Sequence, residues 1–358
     1  MTTAQLSDAE IEDANLDAVD QANALIGEAE GLAESDEWPR VMSLCRQAID
    51  ICTQRLGPLH LCTLWHIKKK GAYLRQQGQY AEAERVDRGL LAKWESKPTR
   101  DDMYELSVLD VMHNLVDDLR PQGLHDEVIV VQTDILQAVI RDRGEEAQYT
   151  SVCKGKLANS LYRRGDYDEA FRLHKEAFTT LKRLGCGETP DYAILLDMAG
   201  LDCRAMGDIA QAQALQEEAV ALAEKICGPR DDTTIRCIAN LSLTYRKSSI
   251  DLTGWRQKLE NLARELVPPG QQLRRITADL FMTLGNIYFD EERYRDAKEA
   301  YVKCLAWAEE NLGREHSFTV MSLESFASAS TKAGDLVWAP VVGSDVTGIP
   351  SSHAPNNF

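Results

Sequence analysis

Several features that mark enzymes, secreted domains and membrane proteins are missing from this sequence of 358 residues. No segment approaches the run of about 18 apolar residues that a membrane-spanning helix needs, and the N-terminal residues lack the basic and apolar regions of a signal peptide. The seven histidines form no His-Glu-x-x-His pair, and no Gly-x-Ser-x-Gly motif or phosphate-binding glycine loop occurs. These absences predict a cytoplasmic protein that is not an enzyme, holds no metal or cofactor, and does not associate with a membrane.

Cysteine spacing and charge exclude further classes of protein. The nine cysteines include no Cys-x-x-Cys pair, so neither a disulfide framework nor a zinc ribbon is indicated, and we expect small buried thiols in a reducing compartment. Acids outnumber bases by 57 to 40, for a formal net charge of −17. Because phosphate binding relies on excess Lys and Arg, this balance argues against nucleic acid as the main partner.

What the sequence does contain is a repeat, seen most clearly in residues 158–177, ANSLYRRGDYDEAFRLHKEA. This segment reads as a helix that ends at Arg164, a break at Gly165 and a second helix that begins near Tyr167. Stepping from Ala158 in both directions, a small residue returns every 42 to 45 residues; these residues, called anchors below, are Ala29, Gly71, Val116, Ala158, Gly200, Ser242, Gly285 and Ala327. A period in this range predicts a solenoid of helical hairpins, in which each hairpin buries its apolar face against its neighbours.

Other positions keep step with the anchors. Seven residues after each anchor, where the hairpin must turn, stand Asp36, Gly78, Gly123, Gly165, Gly207, Ser249, Glu292 and Gly334. Five glycines among eight residues predict a left-handed backbone at the end of each first helix. Small or apolar residues recur 12 and 19 positions after the anchors, which predicts that the second helix packs closely on the first.

This arrangement resembles the tetratricopeptide repeat, whose pattern has a Gly or Ala on the first helix and two Ala positions on the second. The joints 56–60 (LGPLH) and 312–316 (LGREH) and the run 238–246 (IANLSLTYR) are similar to kinesin light chain repeats. No proline follows His60 or His316, so we infer no association with a motor protein. Because the two histidines recur at equivalent joints, we expect them to cap or pack the loop.

The resemblance covers about residues 22–336 and implies an all-α, right-handed superhelical solenoid of antiparallel helix pairs with about seven and a half repeats. We expect the array to span residues 16–336, between an acidic disordered lead-in (1–15) and a disordered C-terminal tail (337–358).

The sixth and eighth repeats are among those that depart from the pattern. In the sixth repeat, Gly254 and Asn261 stand where Ala is expected, which predicts a shifted apolar stripe formed by Trp255, Leu259, Leu262 and Leu266. In the eighth, Pro340 interrupts the second helix. That interruption fits either a terminal cap or a truncated array.

A series of polar residues on the first helices gives the candidate site. Positions −2, +1 and +4 relative to the anchor share one helix face, and the resemblance implies that this face lines a concave groove. The candidate groove residues are Lys69, Arg75, Asn114, Arg120, Lys156, Asn159, Tyr162, Arg163, Arg204, Asn240, Arg246 and Asn286. Asn side chains suit the backbone amides of a bound peptide, and Arg side chains suit its carboxylates.

The same arginines have a second explanation, because cations near a helix C-terminus are favoured by the helix dipole and by unsatisfied carbonyls. The favoured functional hypothesis is a scaffold that binds a protein or peptide partner, with an acidic peptide as ligand. The alternative is a sensing, regulatory or oligomerisation array related to the repeats of a nucleotide-switch signalling protein. In this alternative the partner would be a second copy of the chain in a homo-oligomer. An enzyme is the third option, and it would need a pocket that the sequence does not indicate.

Overall fold

The computed structural model describes residues 8–96, 102–248, 250, 252–267 and 273–335. Within these ranges it contains fifteen α-helices and no strand, which confirms the all-α repeat array. The helices form seven successive pairs followed by one further helix: α1 Asp8–Ala33 and α2 Trp38–Arg55; α3 Leu61–Gln76 and α4 Tyr80–Glu95; α5 Asp102–Leu119 and α6 His125–Arg143; α7 Gln148–Arg164 and α8 Tyr167–Arg183; α9 Pro190–Met206 and α10 Ile209–Ile226; α11 Asp232–Lys247 and α12 Thr253–Leu266; α13 Arg275–Asp290 and α14 Tyr294–Leu312; and α15 Ser317–Lys332.

The turns after the first helices have the left-handed backbone that the sequence predicts wherever the structure describes the turn position. Every described position seven residues after an anchor has a positive φ, from 57° at Asp36 to 100° at Gly165. Asp36 and Glu292 are the two that are not glycine, and they adopt this conformation at a steric cost that glycine avoids. Ser249 lies outside the described residues.

The joints that precede α3 and α15 confirm the structural role expected for the two histidines. Nδ1 of His60 and Nδ1 of His316 accept the backbone N–H two residues later, at 3.2 and 3.1 Å, and so cap the helix that follows. The threonine three residues after each histidine donates to the carbonyl of the glycine three residues before it, at 2.8 and 2.7 Å. Each joint is therefore held by a pair of hydrogen bonds of the same design.

The anchors mark where the paired helices approach most closely. All are buried except Ala327, which is exposed. A Cβ atom on Gly200 would lie 2.4 Å from Cγ of Gln216, and one on Gly285 would lie 2.5 Å from Cε1 of Tyr301. Both distances are far below van der Waals contact, so a methyl group at either position would force the side chain of Gln216 or Tyr301 to move.

The chain divides into two compact units, residues 1–145 and residues 146–358. One core cluster of the first unit is formed by Leu64, Leu90, Trp94 and Val111. The second unit has a larger continuous cluster whose buried members run from Ala177 on α8 to Ala329 on α15. In both units the buried side chains come from several helices, so neighbouring hairpins stabilise one another.

The sixth repeat shows the predicted shift of its apolar stripe. Leu259 and Leu262 are buried, whereas Gly254 and Asn261 are exposed. The indole Nε1 of Trp255 donates to Oγ of the anchor Ser242 at 2.6 Å. A serine in the anchor position therefore meets a hydrogen-bond donor from the second helix instead of a methyl group.

The sequence predicts disordered segments at both ends of the chain, and the structure describes part of the N-terminal one. Helix α1 begins at Asp8, so residues 8–15 of the expected disordered lead-in are helical. Acidic residues are favourable at a helix N-terminus, and the buried Ala18 and Ala22 hold the following turns in the core. Residues 1–7 and the expected tail 337–358 lie outside the described residues.

The nine cysteines can be compared with the expectation of small buried thiols. All nine cysteines are free thiols, and six of them are buried. No helix in the described part of the chain is long and apolar enough to cross a membrane. Over the same residues, no cluster of three or more His, Cys, Asp or Glu side chains has a geometry that could hold a metal ion.

Candidate peptide-binding site

A cavity of about 850 Å³ lies in the second unit and brings together three of the candidate groove residues. Tyr162 comes from the end of α7, Arg204 from the end of α9 and Arg246 from the end of α11, all at position +4 of their repeats. Helix α13 contributes Asp290, and α12 contributes Arg256. The repeat period thus places equivalent residues of consecutive repeats on one wall.

Arg204 is the buried cation of this wall that has no ion pair among the described residues. Its residue surface is 9% exposed, and Nη1 donates to the carbonyl oxygen of Asn240 at 3.2 Å. The hydroxyl of Tyr162 is a second polar neighbour, but no carboxylate of the described residues lies within ion-pair distance. Burial lowers the pKa of Arg204, because the charged guanidinium is desolvated without an adjacent anion.

Tyr162 and Asp197 complete the surroundings of this guanidinium. Burial raises the pKa of Tyr162, while the nearby Arg204 acts in the opposite direction. Asp197 is fully buried and accepts from Nδ2 of Asn240 at 2.7 Å, so Asn240 is held between the carboxylate and Arg204. Burial raises the pKa of Asp197 to about 6, so this carboxylate is still largely ionised at pH 7, and its charge acts on Arg204 from beyond ion-pair distance.

The other cations of the cavity wall are partly neutralised. Arg246 forms a bidentate pair with Asp290, with Nη2 to Oδ1 at 3.0 Å. Arg256 reaches Glu291 at 2.9 Å and Glu260 at 2.8 Å. Together with the exposed Lys247, the wall carries four cations against two anions, Asp290 and Glu291. The cavity is therefore locally basic in a strongly acidic protein.

The candidate residues of the first unit have partners of their own. Nη1 of Arg75 lies 2.7 Å from Asp87 and 3.1 Å from Asp118, and both carboxylates are completely buried. Lys69 pairs with Glu30 at 2.7 Å. The guanidinium of Arg75 therefore links α4 of its own hairpin to α5 of the next hairpin, which uses its donors within the fold.

The remaining candidates are distributed over several environments. Oδ1 of Asn159 lies 3.2 Å from Nε2 of the buried His174, and Oδ1 of Asn286 accepts from the hydroxyl of Tyr301 at 2.9 Å. The other four are at or near the surface: Arg120 pairs with the exposed Asp117, Lys156 and Arg163 are exposed, and Asn114 is half-buried.

A set of buried polar contacts between neighbouring repeats was missed by the sequence reasoning. The residue 16 positions after an anchor meets the residue two positions after the next anchor: Nδ1 of His174 lies 2.6 Å from Oδ2 of Asp202, and Gln216 accepts from the hydroxyl of Thr244. We call these contacts polar rungs. The available signal is that position +16 is polar between the apolar positions +12 and +19.

Comparison with known proteins agrees with this architecture. The family profile of the tetratricopeptide repeat matches residues 150–184, 195–232 and 277–317. The Arabidopsis thaliana protein kinesin light chain-related 2 is 34% identical over 84 residues, which cover 24% of this chain and 13% of that protein. Kinesin light chain-related 3 from the same organism is 32% identical over 120 residues, or 34% of this chain and 18% of that protein.

The chain thus matches less than a fifth of the length of these two relatives. A crystal structure of a tetratricopeptide repeat protein from Parabacteroides merdae superposes with a TM-score of 0.57 and 13% identity, covering 86% of this chain and 99% of the other. The period, the left-handed turns, the small anchors and these matches lead to one conclusion. The chain contains tetratricopeptide repeats, and these repeats are similar to those of kinesin light chain-related proteins.

Proposed function

We propose that this protein is a non-enzymatic scaffold that binds an acidic segment of a protein partner at the Arg204 cavity. Tetratricopeptide-repeat arrays are typically surfaces for protein interaction, and the repetition of equivalent side chains along a wall suits an extended ligand. A cytoplasmic location fits this proposal, because the nine thiols are free.

The observation that supports this proposal most directly is the environment of Arg204. A guanidinium has five N–H donors in a planar fork, and the carbonyl of Asn240 and the hydroxyl of Tyr162 leave several of them unused. A buried charge is costly unless it is paired. A carboxylate that enters the cavity would supply the missing partner and would gain a charge-assisted hydrogen bond.

Arg246 and Lys247 extend this basic surface toward the end of α11. Arg246 forms an ion pair with Asp290, whereas Lys247 is exposed without an ion pair among the described residues. A peptide with two or more carboxylates would therefore find a primary contact at Arg204 and secondary contacts beside it. Because these contacts are electrostatic, we expect affinity to fall as salt is added.

The test measures the fluorescence anisotropy of a labelled Glu-Ser repeat peptide with the wild-type protein and with Arg204→Gln. A lost charge-assisted hydrogen bond is worth about 1.5–3 kcal/mol, so we expect Kd to rise roughly tenfold or more. The Gln-Ser repeat peptide should bind neither protein. Arg204→Lys, which keeps the charge but not the fork, should lie between the two.

Arg230→Gln is the matched control, because Arg230 lies in the same unit and forms an exposed pair with Glu265. It should leave Kd unchanged, and circular dichroism checks that each variant is folded. Equal affinity of wild type and Arg204→Gln, or an equal loss in Arg230→Gln, would refute the proposal. A defined oligomer without any peptide affinity would instead favour the oligomerisation or regulatory array.

A further inference from the structure

A second cavity, of about 270 Å³, lies in the first unit beside the start of α3. Its lining is mostly apolar and includes Leu64, Leu90 and Val111 from three helices. Two large apolar side chains of α3, Leu61 and Trp65, line it and are exposed to solvent, with 44% of Trp65 accessible. Exposed aromatic surface at the mouth of an apolar cavity is typical of a binding site.

His66 gives this cavity a polar group that the fold leaves without a partner. The residue is completely buried, and neither Nδ1 nor Nε2 has a hydrogen-bond partner among the described residues. Burial lowers the pKa of His66, so the imidazole is neutral at pH 7 and carries one donor and one acceptor nitrogen. Buried polar groups are nearly always hydrogen-bonded, so an orphaned ring in a cavity wall points to a ligand.

Three flat rings contribute to the same lining, namely Trp65, His66 and Trp94. Trp65 and His66 meet edge to face with their centroids 5.0 Å apart. Aromatic rings attract one another in edge-to-face and offset geometries, so the walls favour a planar ring over an alkyl chain. An apolar cavity of about 150 Å³ holds benzene, and this cavity therefore has room for a benzene ring with a substituent.

We propose that the cavity beside His66 binds a phenol ring, either as a small molecule or as a tyrosine side chain of a protein partner. A hydroxyl both donates and accepts, so it can pair with either nitrogen of the neutral imidazole. A carboxylate fits poorly, because the described cation of the lining, Lys68, is already paired with Asp110 at 2.7 Å. A purely apolar ring would leave the imidazole unpaired.

The experiment compares p-cresol with p-xylene by isothermal titration calorimetry. The two molecules have nearly the same shape, and p-xylene is the more hydrophobic. If the hydroxyl pairs with His66, p-cresol should bind at least about tenfold more tightly, which is the effect of one buried hydrogen bond. Equal affinities, tighter binding of p-xylene, or no binding of either at millimolar concentration would overturn the proposal.

Two variants locate the site. His66→Phe keeps the apolar volume and removes both nitrogens, so p-cresol should lose its advantage while p-xylene still binds; retained p-xylene binding also shows that the cavity is intact. Trp65→Ala should weaken both ligands. Val130→Ala, at an exposed apolar residue of the same unit outside the cavity lining, should change neither. An unchanged p-cresol preference in His66→Phe would refute the assignment.

A second pair of probes distinguishes the two sources of the ring. The peptides Gly-Gly-Tyr-Gly-Gly and Gly-Gly-Phe-Gly-Gly are titrated in the same way. Binding of the tyrosine peptide with at least a tenfold preference over the phenylalanine peptide assigns the site to a partner side chain. Binding of p-cresol alone assigns it to a free phenol.

Discussion

Arg75 offers the sharpest test of how the array is held together, because one guanidinium serves two carboxylates. Replacing Arg75 with Met keeps the length of the side chain and removes the charge that neutralises Asp87 and Asp118, which are both fully buried. Removing one partner of a buried ion pair typically costs about 3–5 kcal/mol, since the remaining charge stays desolvated. We expect a loss of unfolding free energy of this size at pH 8.

The loss should depend on pH in a defined direction. Burial raises the pKa of Asp87 and of Asp118, and Arg75 counteracts this effect. Carboxyl groups with a folded-state pKa above the unfolded value take up protons on folding, so the folded state gains stability as pH falls through their range. Without Arg75 both pKa values rise further, and protonation removes the unpaired charge. The cost of Arg75→Met should therefore shrink from pH 8 to pH 5.

The assay is urea unfolding at pH 8 and pH 5, followed by circular dichroism and by tryptophan fluorescence. Arg120→Met is the control, because Arg120 occupies the same position of the next repeat and pairs with Asp117 at the surface. An exposed pair contributes at most about 1 kcal/mol, with little dependence on pH in this range. The reasoning fails if Arg75→Met costs no more than Arg120→Met, or if its cost is the same at both pH values.

Two further variants test the close packing and the buried charge of the second unit. Gly285→Ala should lower the free energy of unfolding by about 1–3 kcal/mol relative to the control Gly27→Ala, because its Cβ would lie 2.5 Å from the ring of Tyr301, whereas nothing lies within 4 Å at Gly27. The thermal midpoint of Gly285→Ala should therefore lie below that of Gly27→Ala, and equal midpoints in thermal melts would contradict this. Asp197→Asn should stabilise the protein at pH 8 by up to roughly 3 kcal/mol, because the pKa of about 6 lies some two units above its unfolded value. That gain should disappear as pH falls from 6 to 4, and melts that show the same gain at every pH would rule it out.

Backbone features of the repeat could be predicted because each has a local physical cause. Positive φ seven residues after the anchor selects glycine, a close helix approach selects a small anchor, and a joint that needs a cap selects His60 and His316. The shifted stripe of the sixth repeat was also visible, since Trp255 stands beside the unsuitable Gly254. These signals lie within one hairpin.

Side-chain partners could not be predicted in the same way, because they depend on the neighbouring repeat. Arg75 and Arg204 occupy the same position of their repeats, yet Arg75 meets the buried Asp118, whereas Arg204 meets the carbonyl of Asn240. Position +2 of the following repeat explains the difference, being Asp118 in one case and Thr244 in the other. A shared helix face shows that residues can line the same wall. It does not show which of the arginines is already paired with a carboxylate of the fold.

Because of the polar rungs, the packing of neighbouring hairpins depends on specific hydrogen-bond partners as well as on their order in the chain. His174 faces an aspartate in the next hairpin, and Gln216 faces a threonine hydroxyl. Exchanging two hairpins, or deleting one, would set a buried imidazole or amide against a side chain of different length and charge, so its hydrogen bond would need a different geometry. Apolar stripes alone would tolerate such rearrangements, because one leucine surface packs on another nearly as well. At these two junctions each hairpin is thus matched to its own successor, which disfavours docking of a hairpin on the wrong neighbour.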